Sequence, residues 1–143
     1  MIELHIIHLV ATAGFCTLLW VVQLVVYPQM ARVSAEDFNN YHERHTRSIT
    51  WLVAPLFLLE GASAAASFWY GWRLQPWGQG ASVFLFAANS ALTFLWFVPA
   101  HLRLAAGRDE RLLRRLVAMN WWRTGLSSTR LLLVMWLVAG GAG

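Results

Sequence analysis

The sequence alternates between long apolar stretches and short polar ones along its whole length. Four apolar stretches have about the 20 residues that a helix needs to cross a lipid bilayer. They lie at residues about 4–27, 49–72, 81–101 and 113–139. Pro28 is expected to end the first, and turns at 75–78 and 107–109 separate the last three. The pattern predicts an all-α integral membrane protein with one transmembrane domain, a four-helix antiparallel bundle.

The composition supports this class of protein. Hydrophobic residues make up 58% of the 143 residues and charged residues only 13%, whereas soluble domains are less apolar and about twice as charged. A soluble globule of this size would lack the polar surface to cover the apolar stretches. Because the chain has one cysteine, Cys16, it can form neither an intrachain disulfide nor a thiolate zinc site.

The distribution of arginine predicts an orientation in the membrane. The net charge of +4 comes from eleven arginines and no lysine, set against seven acidic residues. Most arginines flank or lie in the first and third loops, whereas the second loop has only Arg73. Since basic loops stay in the cytoplasm, both termini are expected on the non-cytoplasmic side of a bacterial cytoplasmic (inner) membrane. Topology explains the arginines better than nucleic acid does, because no nucleic-acid-binding motif is present.

A first layer of polar side chains is expected at the cytoplasmic end of the bundle. His42 and His45 are three residues apart and share one helix face, a spacing at which two imidazoles can hold one metal ion. His101, at the end of the third span, can supply a third ligand. The alternative is that these histidines are hydrated at the membrane boundary and bind nothing. The same layer is expected to contain Gln23, Tyr27, Asn120 and Arg123.

A second layer is expected deeper in the bundle. Glu60 and Arg130 lie at similar depths in the second and fourth spans, and an unpaired charge there is costly, so both should face inward and pair. His8, Asn89 and Ser90 are expected near the same plane. The pair either fixes the helix register only or takes part in function as a proton relay, a metal ligand or an anchor for an anion.

Helical spacing supports polar faces that point inward. In the fourth span, Asn120, Arg123, Ser127 and Arg130 follow steps of three and four residues, which places them on one face. The small residues at 61–67 predict a surface for close helix packing.

A resemblance follows from polar positions spread over nearly the whole chain. They are His8, the Gln23–Pro28 segment, the Tyr41–His45 segment, Pro55, Glu60, the Val98–His101 segment, the Asn120–Thr124 segment and Arg130. This set resembles small, mostly uncharacterised bacterial four-helix inner-membrane proteins. More distantly, a histidine near the outer end of the first helix followed by an aromatic-proline boundary is similar to HemJ-type protoporphyrinogen oxidases and copper-resistance D-type proteins. The size and helix count resemble anthrone-oxygenase-like membrane proteins. The HemJ-type resemblance implies that His8 is an axial ligand of haem.

The leading hypothesis is a membrane-embedded redox protein that binds haem or a transition metal, iron or copper. It would act on a lipid-soluble molecule such as a quinone, or carry electrons. Neutral imidazole is the usual ligand for these cofactors, so His8 or the three histidines of the first layer would bind them. Gln23, Tyr27 and Asn120 would line the cofactor. Glu60 would move a proton, and Arg123 and Arg130 would hold anionic groups.

Two other classes of function fit the same pattern. The chain can be an accessory or assembly subunit of a larger respiratory or photosynthetic membrane complex, or a homo-oligomer, because its surface would meet only lipid and neighbouring helices. It can also be a small proton-coupled transporter in which Glu60 and Arg130 exchange partners.

Overall fold

The computed structural model describes residues 2–140, which form four helices joined by short loops. Helix α1 comprises Ile2–Val21, a π-helical segment Val22–Val26 and Tyr27–Met30; α2 is Phe38–Gly71; α3 comprises Pro76–Leu92, a π-helical segment Thr93–Phe97 and Val98–Ala105; α4 is Glu110–Gly140. The prediction of an all-α fold with four helices is confirmed for these residues.

The helices are longer than the spans predicted from the sequence, and one predicted boundary is wrong. Pro28 does not end α1, which continues to Met30. The π-helical segment Val22–Val26 precedes it, just as Thr93–Phe97 precedes Pro99. A proline lacks an N–H and its ring crowds the carbonyl four residues earlier. That carbonyl falls within the π-helical segment in both helices, so the wider turn accommodates the proline and the helix goes on.

The four helices pack in an antiparallel order. Helices α1 and α3 lie diagonally opposite each other, and each packs against both α2 and α4. Consequently the last turns of α1 and α3 and the first turns of α2 and α4 share one end of the bundle, here called the arginine-rich end. Its arginines are Arg32, Arg44, Arg47, Arg103, Arg108, Arg111, Arg114 and Arg115.

The bundle is apolar outside and partly polar inside. Large side chains such as Trp51, Trp77 and Leu95 are exposed, while many polar side chains are buried. An apolar core lies near the arginine-rich end and includes Met30 and Leu104. Three helical stretches of residues 2–140 are long and apolar enough to cross a membrane: Glu3–Met30, Phe38–Gly71 and Pro76–Ala105.

Helix α4 is not among the three stretches that are apolar enough to cross a membrane, and its buried face explains why. Its buried residues recur in steps of three and four: Leu113, Leu116, Asn120, Arg123, Thr124, Ser127, Arg130, Val134 and Leu137. The middle of this face is polar, which confirms the predicted inward stripe and lowers the hydropathy of the helix. Arg123 and Arg130 of α4 therefore point into the bundle, while the tryptophans of this helix are exposed.

The side chains of Arg108 and Asp109 hold the loop between α3 and α4 in place through hydrogen bonds to the backbone. The Oδ1 atom of Asp109 accepts hydrogen bonds from the backbone N–H groups of Leu112 (3.0 Å) and Arg111 (2.9 Å). These bonds cap the start of α4 and hold the pKa of Asp109 below its usual range. Arg108 donates to the backbone carbonyls of Val33 and Ala31. The third loop thereby fixes the first loop at the arginine-rich end.

The apolar core at this end predicts a test of packing. Leu116 is 0% exposed on α4, so Leu116→Ala should lower the free energy of unfolding by about 2–5 kcal/mol. Leu102 is 70% exposed on α3, and Leu102→Ala should change it by about 0.5 kcal/mol or less. Thermal unfolding of both variants in the same detergent measures the difference. Equal losses would contradict the packing described here.

Candidate functional site

Three histidines and a tyrosine meet at the arginine-rich end and are called here the histidine cluster: Tyr27, His42, His45 and His101. The Nε2 atom of His42 lies 3.1 Å from Nδ1 of His101. The other ring nitrogen of His101, Nε2, lies 3.4 Å from the hydroxyl of Tyr27. The ring centroid of His45 is 6.4 Å from that of His101. His101 is therefore the centre of the cluster, which contains the three histidines of the first layer; their role as metal ligands stays a prediction.

Local helix geometry places these side chains. His42 and His45 lie in the first turns of α2, where Phe38 stacks on His42 and Tyr41 stacks on His45. Tyr27 and His101 come shortly after the π-helical segments of α1 and α3. Because a π-helical turn inserts one residue, it rotates the residues that follow it around the helix axis. The two π-helical segments thus turn Tyr27 and His101 towards each other.

The cluster contains two possible metal ligands rather than a complete set. Among residues 2–140, no group of three or more His, Cys, Asp or Glu side chains is arranged to hold a metal ion. Two nitrogens bound to one tetrahedral metal at about 2.0–2.1 Å would lie about 3.3 Å apart. The separation of 3.1 Å between His42 and His101 therefore suits either a shared proton or a shared metal ion. The three-ligand set with His45 stays a prediction.

Arg123 lies next to the histidine cluster and is held by neutral groups. Its guanidinium carbon is 4.4 Å from the centre of the Phe97 ring. Its Nη1 atom donates to Oδ1 of Asn120 at 3.5 Å, and Nδ2 of Asn120 donates to Oε1 of Gln23 at 2.9 Å. Gln23, Asn120 and Arg123 are all buried, so the structure brings these predicted residues together.

A second polar group, called here the glutamate layer, lies towards the other end of the bundle and is formed by His8, Glu60, Ser63, Ser82 and Arg130. Arg130 forms an ion pair with Glu60, and the two side chains are only 2% and 3% exposed. The Nε atom of Arg130 also donates to the backbone carbonyl of Ser82 at 3.1 Å. The prediction that Glu60 and Arg130 face inward and pair is confirmed.

His8 belongs to the same layer. Its Nδ1 atom lies 3.1 Å from the hydroxyl of Ser63, which donates to the carbonyl of Glu60 at 3.0 Å.

Several buried polar atoms around this layer have no hydrogen-bond partner among the described residues. They are His8 Nε2, Thr12 Oγ1, Glu60 Oε2, Ser82 Oγ, Ser127 Oγ and Arg130 Nη2. Buried polar atoms in proteins almost always have partners. These atoms are therefore available to bind water or a small polar ligand.

Asn89 and Ser90 do not lie beside Glu60, contrary to the expectation from the sequence. Asn89 donates to the backbone carbonyl of Arg123 at 3.5 Å, and Ser90 donates to a carbonyl of its own helix, that of Phe86. Ser82 and Phe86 face Arg130 instead. Their depth differs from the expected one because α3 begins at Pro76 rather than near residue 81, and Arg130 contacts its early turns.

Gln79 is a buried polar residue that the predicted spans missed. It accepts a hydrogen bond from Ser67 at 3.2 Å, so the run at 61–67 contributes polar contacts through Ser63 and Ser67 as well as packing. The spacing of Gln79, Ser82, Phe86 and Asn89 in steps of three and four residues is the signal that could have revealed the inward face of α3.

Comparisons with protein family models, with curated proteins and with solved structures find no match for this chain. Fold and site together therefore define only a class. Residues 2–140 form an all-α four-helix protein with polar groups inside and three helices apolar enough to cross a membrane.

The buried ion pair predicts a large and asymmetric effect of mutation. Glu60→Gln keeps the shape of the side chain but leaves Arg130 charged and unpaired, so it should lower the free energy of unfolding by about 3–5 kcal/mol. The double variant with Arg130→Gln should recover part of this loss because no buried charge remains. Chemical denaturation in detergent measures the free energy of unfolding of the unmodified protein, of Glu60→Gln and of the double variant.

Glu110→Gln is the matched control. Glu110 pairs with Arg108 at 2.6 Å but is 57% exposed, so its loss should cost about 1 kcal/mol or less. A double variant as unstable as Glu60→Gln alone would contradict the ion pair.

Proposed function

We propose that the protein spans the bacterial cytoplasmic membrane, binds iron or copper in its histidine cluster and exchanges electrons with a lipid-soluble molecule such as a quinone. The observation that carries the proposal is the approach of His42 Nε2 to His101 Nδ1 at 3.1 Å. The membrane, the metal and the redox role are separate steps of the proposal.

Membrane insertion is supported by the distribution of polar and apolar side chains. The candidate spans contain 28, 34 and 30 residues, and large apolar side chains cover the outside of all four helices. In water this apolar surface would cause aggregation, whereas in a bilayer it would contact the lipid tails, which are also apolar. The concentration of arginine at one end supports an orientation with that end in the cytoplasm and both termini on the other side.

Metal binding is supported by the environment of each ring nitrogen. Metal ligation requires neutral imidazoles, and a bound ion would replace the proton that His42 and His101 share. His101 Nε2 could then donate its hydrogen to the Tyr27 hydroxyl, 3.4 Å away. Such a hydrogen bond to the second ring nitrogen orients metal-bound histidines in many proteins. His45, beside them, would be the third ligand after a side-chain rotation.

A metal ion at the histidine cluster fits better than haem at His8. Ser63 orients the His8 ring, but the residue is only 2% exposed and its Nε2 atom is buried. A haem plane needs open space beside that nitrogen, so the closed packing favours the histidine cluster. Iron or copper bound there would supply one-electron chemistry. The chain's own residues would bind the ion and exclude water.

Metal analysis tests this proposal directly. The protein, purified in mild detergent from washed membranes, should contain close to one iron or copper per chain. His42→Ala and His101→Ala should each lower that content at least about tenfold, because each removes a ligand. The control variants His5→Ala and His8→Ala, at the other end of α1, should keep it. Unchanged metal content in both His42→Ala and His101→Ala would contradict the site.

A proton-coupled transporter is the second candidate, and the glutamate layer favours it. Oε2 of Glu60, Nη2 of Arg130 and Nε2 of His8 are buried and unpartnered among the described residues. A carboxylate with one free oxygen can take up a proton and release its arginine. Such a change of partner is the element that a coupled transporter needs.

Vesicle experiments separate the two candidates. If the protein transports protons, Glu60→Gln should abolish proton uptake into reconstituted vesicles, because the amide cannot be protonated, while Glu110→Gln should leave uptake unchanged. The metal content of Glu60→Gln should stay that of the unmodified protein, since Glu60 is remote from the histidine cluster. Equal uptake by Glu60→Gln and the unmodified protein would exclude this candidate.

A further inference from the structure

We propose that Arg123 is a binding site for the carboxylate of a lipid-soluble acid. This inference concerns a different ligand from the metal and holds whether or not the histidine cluster binds one. Four observations carry it: the balance of buried charge, the neutral neighbours of Arg123, the free edge of its guanidinium group and its apolar surroundings.

The first observation is a charge imbalance inside the bundle. The buried carboxylate and guanidinium groups of residues 2–140 are Glu60, Arg123 and Arg130. Arg130 is paired with Glu60, and no carboxylate of the described chain lies within salt-bridge distance of Arg123. The described interior therefore carries one guanidinium charge in excess. A buried unpaired cation is costly in a medium of low dielectric constant, and a single monoanion would neutralise it.

The second observation is that the neighbours of Arg123 are neutral. The Phe97 ring lies under the guanidinium group and offers a modest cation–π attraction. Asn120 provides one hydrogen bond, at 3.5 Å. None of these groups supplies a full negative charge, so the protein alone does not compensate the arginine.

The third observation is the direction of the free donor. Nη1 points to Asn120, whereas Nε is buried and has no partner among residues 2–140. The Nε edge of a guanidinium group presents two parallel N–H bonds, a fork that matches the two oxygens of a carboxylate. Gln23 holds Asn120 at 2.9 Å, and this contact fixes the orientation of the fork. The site is thus suited to a planar, two-oxygen anion.

The fourth observation is the surroundings, which select a lipid-soluble acid. Gln23 and Phe97 belong to the π-helical segments of α1 and α3, where apolar side chains such as Val25 and Leu95 face outward. An alkyl tail can lie along the outer face of one of these two helices, and its carboxylate would enter between the helices to reach Arg123, which is 7% exposed. A free fatty acid or a porphyrin propionate would supply the same carboxylate, and competition distinguishes the two sources.

Tryptophan fluorescence tests the site in the intact, delipidated protein in nonionic detergent. The ring of Trp96 is 4.7 Å from that of Phe97, on which Arg123 lies, so a brominated long-chain fatty acid should quench it saturably. The methyl ester of the same acid should bind about tenfold or more weakly, because it has no charge. Trp96→Phe should remove the saturable part of the quenching.

Variants of Arg123 complete the test. Arg123→Gln should weaken binding of the acid about tenfold or more, and Arg123→Lys should bind between the two, because it keeps the charge but loses the fork. If Arg123→Gln does not fold, Arg123→Lys still gives the comparison. The control is Arg114→Gln, 71% exposed on the same helix, which should bind like the unmodified protein.

Each outcome has a defined meaning. Displacement of the fatty acid by haemin supports a propionate as the natural ligand, and failure of haemin to compete supports a fatty acid. Equal binding of acid and ester, binding unaffected by Arg123→Gln, or displacement by chloride at the concentration of the acid would overturn the proposal. Metal content, measured on the same samples, reports on the histidine cluster.

Discussion

The ion pair between Glu60 and Arg130 constrains the rest of the bundle. In a low-dielectric interior an unpaired charge on either side chain is costly, so the pair favours one register and one pair of facing surfaces for α2 and α4. Arg130 also binds the backbone of α3 through Ser82, and Glu60 is linked to α1 through Ser63 and His8. One buried charge pair thus links all four helices.

The two π-helical segments perform a second task at the other end. Each accommodates a proline without ending its helix, and each changes the direction of the side chains that follow. As a result Tyr27 and His101, on diagonally opposite helices, approach to 3.4 Å. A regular α-helical turn would lack the extra residue of each π-helical segment, and the Tyr27 and His101 side chains would then point away from each other. The histidine cluster therefore depends on local backbone geometry rather than on helix spacing alone.

The sequence was sufficient to predict the helices, the inward face of α4 and the pairing of Glu60 with Arg130. Helical periodicity is a local property of the sequence, so it can be recognised in a single chain. The pairing can be predicted because Glu60 is the one acidic residue within the predicted spans and an unpaired charge there is costly. The depth of Asn89 in the bundle and the partner of Gln79 could not be predicted in the same way. Both depend on where α3 begins relative to its neighbours, and a shift of five residues moves a side chain by about 7.5 Å along the helix axis.

The histidine cluster and Arg123 are adjacent, and their electrostatics are therefore linked. Arg123 lies over Phe97, one helical turn before His101, so a metal ion bound at His42 and His101 would place more positive charge beside an arginine that has no carboxylate partner among the described residues. Like charges at short range in a poorly polarisable interior repel strongly. An anion at Arg123 would lower this repulsion and so favour the metal, and by thermodynamic reciprocity a bound metal would favour the anion to the same extent. The two sites would then act as one electrostatic unit, in which the acid supplies the charge that the chain itself lacks.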